Sequence, residues 1–200
     1  MSQLNILRIL NVSSALLMYS LVTFPPLSVI NLLFPFNMSS PLPSNYMWHT
    51  DWSELNGKQY IAFIDDRSRK IMAGGEFTNA TAENAIFLLH LAILTNEVSP
   101  VIVLSDKGSQ FYANIRMKSG EKGISQCEDE IRAVGIDFWT SRRNHPQTKG
   151  KMEKWFDTIK KKKKKHPDES FQGFIKWYNE KRIHHALEYK TPEEVYQEKL

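Results

Sequence analysis

Asp51, Asp106 and Glu153 are the residues whose types and settings point most directly to chemistry. Asp51 lies inside the run Met47-Trp48-His49-Thr50-Asp51-Trp52-Ser53-Glu54-Leu55. Asp106 closes the apolar run Val101-Ile102-Val103-Leu104-Ser105 and is followed by Lys107-Gly108-Ser109-Gln110-Phe111. Glu153 stands early in a helix-like run that opens after His145-Pro146-Gln147-Thr148-Lys149-Gly150. Carboxylates delivered from separate elements can hold two divalent cations. A cation pair about 3.5–4 Å apart stabilises the attacking and leaving oxygens of an in-line phosphodiester displacement. An all-oxygen donor set suits Mg²⁺ or Mn²⁺ rather than Zn²⁺. One surface acid alone would ordinarily be a solvated charge or a cap; it is the combined setting of the three that singles them out.

The elements that must position these acids begin at Trp48. Trp48–Leu55 alternates and reads as a strand. Asn56-Gly57 is a two-residue hairpin signal, and Gln59–Asp65 reads as the antiparallel partner. Asp66-Arg67-Ser68 makes a second turn, and 70–77 a third strand. Thr78 and Asn79 supply the helix-capping candidates, with Glu83 in the first turn, for a helix that ends near Asn96. Val101–Leu104 is a short, wholly apolar strand of the kind buried on both faces, reached by a helical crossover. Residues 117–129 read as a polar exposed insertion, 130–134 as a short helix end, and 135–140 as a last strand. A basic flexible loop is expected over 141–150. Helices follow over 151–165, ending in the six lysines Lys160–Lys165, and over 171–181. The order βββ-α-β-α-β-α-α argues an α/β fold with a mixed five-stranded sheet flanked by helices.

The 200 residues suffice for one well-buried domain with appendages. The net charge of +4 and pI near 9.0 permit a nucleic-acid partner without demanding one. Before Asp51 the only formally charged side chain is Arg8, so residues 1–46 form a separate, apolar N-terminal segment, expected to be weakly ordered or a truncation remnant. The run 9–24 is short and diluted for a membrane span of about 20 residues, so a cytoplasmic, nucleoid-associated protein is expected and membrane anchoring is the minor alternative. Cys127, the single cysteine, excludes an intramolecular disulfide and a thiolate metal centre; it reads as an inert thiol in a polar loop.

At this point the chain resembles the DDE catalytic domain shared by insertion-sequence transposases and retroviral integrases. Trp48-His49-Thr50-Asp51 resembles the family's first-Asp strand, and Phe63-Ile64-Asp65-Asp66-Arg67-Ser68-Arg69 its second strand and turn. Leu104 through Phe111 resembles the second-Asp motif, and His145 through Lys154 the segment leading into the Glu helix. Trp177 through Leu187, then Thr191-Pro192-Glu193-Glu194, resembles the C-terminal tail. The resemblance implies a ribonuclease-H-like fold, a catalytic core over 47–165 and a C-terminal helix and tail over 166–200. It implies Asp51, Asp106 and Glu153 as the catalytic and metal-binding triad for two Mg²⁺ or Mn²⁺ ions, and DNA cleavage and strand transfer by a homo-oligomer. The interval from Asp106 to Glu153 is longer than the family's commonest spacing, and Lys149 stands where many relatives carry Asn. A folded, DNA-binding but inactive transposase remnant is the rival expectation.

Other residues sort around this reading. Lys160 shares the helix face of Glu153 at i+7 and would reach DNA phosphate. Arg142, Arg143, Lys149 and Lys151 flank the helix start and are expected to contact DNA as well; backbone contacts of this kind position a duplex without reading its sequence. Asp65 is the rival metal ligand, with Asp66-Arg67-Ser68 read as turn chemistry. His145 is a dispensable general base. His184 and His185 read as tail packing or surface. Trp155, Phe156, Trp177 and Tyr178 are expected to form the seam between the last two long helices.

Overall fold

The first hairpin follows directly from its turn. β1 (Met47–Leu55) and β2 (Lys58–Asp65) pair antiparallel from Leu55↔Lys58 to Trp48↔Asp65. Asn56 and Gly57 both take positive φ, 54° and 73°, which is the backbone that a two-residue hairpin demands and that Asn-Gly supplies at least strain. The computed structural model describes residues 42–106, 125–140 and 146–198, with side chains of the last stretch from residue 150 onward. The apolar segment 1–41 lies outside the described residues.

β3 (Ile71–Phe77) adds antiparallel to β2. The chain then crosses over through α1 (Ala82–Asn96) and returns as β4 (Ile102–Ser105), parallel to β1. α2 (Gln126–Ala133) leads to β5 (Asp137–Thr140), parallel to β4. The sheet order is therefore β3-β2-β1-β4-β5, with β1 at the centre. α3 (Pro146–Lys165), α4 (Phe171–Glu180), a 3-10 turn (His185–Leu187) and α5 (Pro192–Gln197) complete the described chain. This is the mixed, helix-flanked five-stranded sheet that the element order implies.

Alternation along the strands builds two cores. Trp48, Ile61, Phe63, Val103 and Phe138 face α1 and α2. Tyr60, Ala62, Ile64 and Ile71 face α3 and α4, where they meet Met152, Trp155, Phe156, Ile159, Phe174 and Tyr178. The Trp155 ring stands edge-on to Tyr178 at 4.5 Å, so the aromatics do form the seam between those two helices. At Gly74 a Cβ would come within 2.6 Å of Ile175, so the missing side chain lets α4 approach β3. Asn179 of α4 completes that contact: its Oδ1 accepts from Ile71 N and its Nδ2 donates to Ile71 O, both at 2.9 Å.

Three local expectations are corrected. The cap of α1 is Thr81, whose hydroxyl accepts from Asn84 N, and not Thr78 or Asn79. Residues 126–129 belong to α2 rather than to an exposed insertion; Ser125 caps the helix through Glu128 N, and Cys127 and Ile131, one turn apart, bury the same face. Cys127 is thus a core residue. Residues 146–150 are the start of α3, not a loop, because proline is well suited to the first helical turn, where its missing N–H has no partner to lose.

Candidate active site

Asp51 is placed by the centre of the sheet. The parallel register pairs Thr50 of β1 with Ser105 of β4, so Asp51 and Asp106 are the next residues along two adjacent strands. Side chains alternate across a strand. Trp48 faces α1, so His49 and Asp51 face α3; Asp51 is accordingly paired with Ala62, a member of the α3-side core. Val103 faces α1, and the same alternation carried past Leu104 puts Asp106 on the α3 side. One carboxylate oxygen of Asp51 accepts from Trp52 N at 2.8 Å. Ser105 Oγ donates to the carbonyl of Asp106 at 2.8 Å.

Glu153 comes from the helix that crosses this face. α3 packs on β1, anchored by buried Met152, Trp155, Phe156 and Ile159, while Glu153 itself is exposed. The two strands and the helix therefore bring the three acids to one side of the sheet. Their side chains are not gathered into one cluster: among the described residues, no three His, Cys, Asp or Glu groups stand close enough to enclose a metal ion. The donor chemistry fits a hard divalent cation. Asp51 and Asp106 offer oxygen from neighbouring strands, with no thiolate there and Cys127 buried in the opposite core.

The neighbouring acids have structural employment. Asp65, the rival ligand, is fully buried. Its carboxylate accepts from Asn45 N at 2.7 Å, Ser68 N at 2.8 Å and Ser68 Oγ at 2.6 Å. The turn chemistry expected of Asp66 is thus performed by Asp65. Asp66 instead takes His49 Nε2 at 2.6 Å and the Lys151 ammonium on the same oxygen. Burial pushes the Asp66 carboxyl up, but the His49 hydrogen bond and the Lys151 charge outweigh it and hold the group well below the ordinary carboxylate range. Nothing in the sequence marked this contact, because its three members come from three elements.

The residues expected at DNA divide. Lys160 is exposed on α3. Lys151 turns its ammonium inward to Asp66. Arg142, Arg143 and His145, and the side chain of Lys149, lie outside the described residues. Within the lysine run, Lys162 covers the Trp177 ring at 4.2 Å, and Lys163 reaches Tyr60 Oη at 2.9 Å and Glu76 at 3.3 Å; both are spent on packing. His184 and His185 stack edge-on to Tyr178 and Tyr189, at 4.9 and 5.1 Å, as tail residues.

No family model matches the chain. The chain is 26% identical over 165 residues to the transposase for insertion sequence element IS904 of Lactococcus lactis subsp. lactis, covering 75% of this chain and 60% of that relative. Among solved structures, the catalytic core domain of BIV integrase matches with a TM-score of 0.57 at 18% identity, over 76% of this chain and 93% of that one. The first is a likeness in sequence to a transposase, and the second a likeness in fold to an integrase catalytic core. The integrase fold recurs in the HTLV-2 integrase catalytic core domain in complex with magnesium (TM-score 0.57, 17% identity, 79% of this chain and 100% of that one). It recurs also in the simian T-cell lymphotropic virus intasome (TM-score 0.63, 16% identity, 80% and 56%). The ribonuclease-H-like fold of an integrase core is therefore that of this chain, and the chain spans 60% of the transposase relative's length. No helix among the described residues is long and apolar enough to cross a membrane.

Proposed function

We propose that this chain cuts and joins DNA strands in transposition, as a polynucleotidyl transferase with Asp51, Asp106 and Glu153 as its catalytic acids. The observation that carries this reading is the Thr50↔Ser105 register, which sets Asp51, within β1, beside Asp106, just past the end of β4, on the face that the Glu153 helix crosses. Asp51 and Asp106 would hold one Mg²⁺ or Mn²⁺ ion jointly, and Glu153 with one of them a second. Such ions, when bound, supply a Lewis acid at the scissile phosphate and lower the pKa of water. In the first reaction water adds to the phosphorus and the 3′ oxygen leaves, giving a 3′-OH and a 5′-phosphate. In the second, that 3′-OH attacks a target phosphodiester and displaces another 3′ oxygen, so the number of ester bonds is unchanged.

Lys160, exposed on the Glu153 helix, would touch DNA phosphate, with Arg142, Arg143 and Lys149 along the segment before it. The dimeric and trimeric forms of the HTLV-2 integrase core and the need to join two ends favour a homo-oligomer in action. A second reading, a protein that folds and binds DNA without catalysis, is favoured by one observation: the three acids are not gathered. A strand-transfer assay with Mg²⁺ or Mn²⁺ and oligonucleotides cut from the element's own termini separates the two. Joining by the native chain that is lost in Asp51→Asn, Asp106→Asn and Glu153→Gln, with unchanged circular dichroism, supports catalysis. DNA binding without joining supports the second reading, and joining by Asp106→Asn would overturn the assignment of the acids.

A further inference from the structure

Two of the three elements that carry a proposed catalytic acid also carry, two residues earlier, a side chain bound to Asp66. His49 precedes Asp51 on β1; Lys151 precedes Glu153 on α3. Asp66 lies between them just past the end of β2, and its backbone N–H donates to Met47 O of β1 at 2.9 Å. Its Oδ1 receives His49 Nε2 at 2.6 Å and the Lys151 ammonium, which also donates to the Asp66 carbonyl at 2.9 Å.

The cluster is shielded. Side-chain exposure is 4% for His49 and 20% each for Asp66 and Lys151. A pair in that setting resists solvent and salt more than a surface pair does. Removing one partner leaves its counterpart poorly solvated.

From Met152 onward α3 is held by four buried apolar side chains. Those residues fix the body of the helix. Lys151 stands ahead of them and ties the turn that bears Glu153 to the strand that bears Asp51, through one carboxylate.

We infer that Asp66, with His49 and Lys151, is a positioning cluster that sets Glu153 against Asp51. The inference rests on the catalytic reading given above. None of the three would touch substrate or metal. Lys151 accordingly acts on the geometry of the acids rather than on DNA.

The test uses the full chain and four variants: Asp66→Asn, Lys151→Met, Lys151→Arg, and Lys70→Met as a control. Lys70 pairs instead with Glu193 of the tail, at 2.8 Å. Amide hydrogen exchange is followed over residues 151–156, and Mn²⁺ binding is titrated calorimetrically on protein without DNA. In Asp66→Asn and Lys151→Met, amides 151–156 should exchange several-fold faster and Mn²⁺ affinity should fall about ten-fold. Lys151→Arg should restore much of both, and Lys70→Met should leave both unchanged. Unchanged exchange at 151–156 in Asp66→Asn, or the same acceleration in Lys70→Met, overturns the positioning role. An Asp51→Asn protein that binds Mn²⁺ like the native chain would instead count against the catalytic acids, and the exchange measurement would still decide the cluster.

Discussion

Asn179 of α4 pairs with Ile71 of β3 as a neighbouring strand would, giving and taking one 2.9 Å hydrogen bond with its backbone. Gln172 adds a third, from Nε2 to Gly74 O at 2.9 Å. β3 is an edge strand, and an uncovered edge invites pairing with other chains. Asn179→Ala would leave the buried N–H and C=O of Ile71 without partners. We expect a loss of about 2–3 kcal/mol from two such groups, read as a lower urea midpoint with little change in slope. A midpoint within error of the native chain would show that water or a rearranged helix replaces the carboxamide.

Lys160 and Lys163 should behave oppositely despite sitting in one lysine run. Lys160 is exposed, whereas Lys163 is bonded to Tyr60 and Glu76. Lys160→Ala should weaken DNA binding alike for all sequences and reduce the slope of log affinity against log salt by about 1. Lys163→Ala should leave that slope in place and cost stability instead. Fluorescence anisotropy across a salt series, beside thermal melts, checks both; equal slopes for Lys160→Ala and the native chain would remove Lys160 from the DNA surface.

His184 should make the fold acid-sensitive. Burial lowers its imidazole from 6.5 to about 4, and the charges of Arg182 and Arg69 add to the effect. The folded chain thus resists a proton that the unfolded chain accepts. The contribution is fully present above pH 6.5, declines as pH falls from 6.5 toward 4, and changes no further below that. The ring is partly exposed, so solvent screening makes the loss a fraction of the full linkage value. His184→Phe keeps the ring beside Tyr178 and removes the proton; its stability should fall less than the native chain's between pH 6.5 and 4. Parallel stability curves over that range would show that another group is responsible.

Cys127 should be unreactive until the chain opens. Burial, together with the Glu128 and Glu130 carboxylates, pushes its thiol up to about 12. At pH 8 it is neither ionised nor accessible. A disulfide reagent should therefore label native protein slowly and denatured protein at once. Rapid native labelling would place Cys127 outside the α1-side core.

Short-range signals account for the parts of this structure that the sequence made legible. Asn56-Gly57 fixed the first hairpin, and with it the strand of Asp51. The apolar run ending at Ser105 fixed β4, and with it Asp106. The first half of α2 escaped because only Cys127 and Ile131 are buried apolar side chains on that helix, though Ser125 followed three residues later by Glu128 was a legible cap. The early start of α3 escaped because Pro146 read as a loop residue rather than a first-turn one. Asp66, Asn179 and Arg67 had no local signal at all. Their partners lie 17, 85, 108 and up to 131 positions away in the chain, and only the folded sheet brings them together.

The corner around Arg67 has a temporal meaning. Arg67 donates to Ser44 Oγ and to the carbonyls of Val195 and Glu198, at 3.2, 3.5 and 3.1 Å, and Asn45 bonds Tyr196 Oη across 151 positions. A chain synthesised from its N-terminus makes β1 and β2 long before it makes α5. The hairpin that carries Asp51 must therefore persist with Arg67 and Asn45 still awaiting their partners, and the nascent protein is open at that corner until the tail emerges and docks.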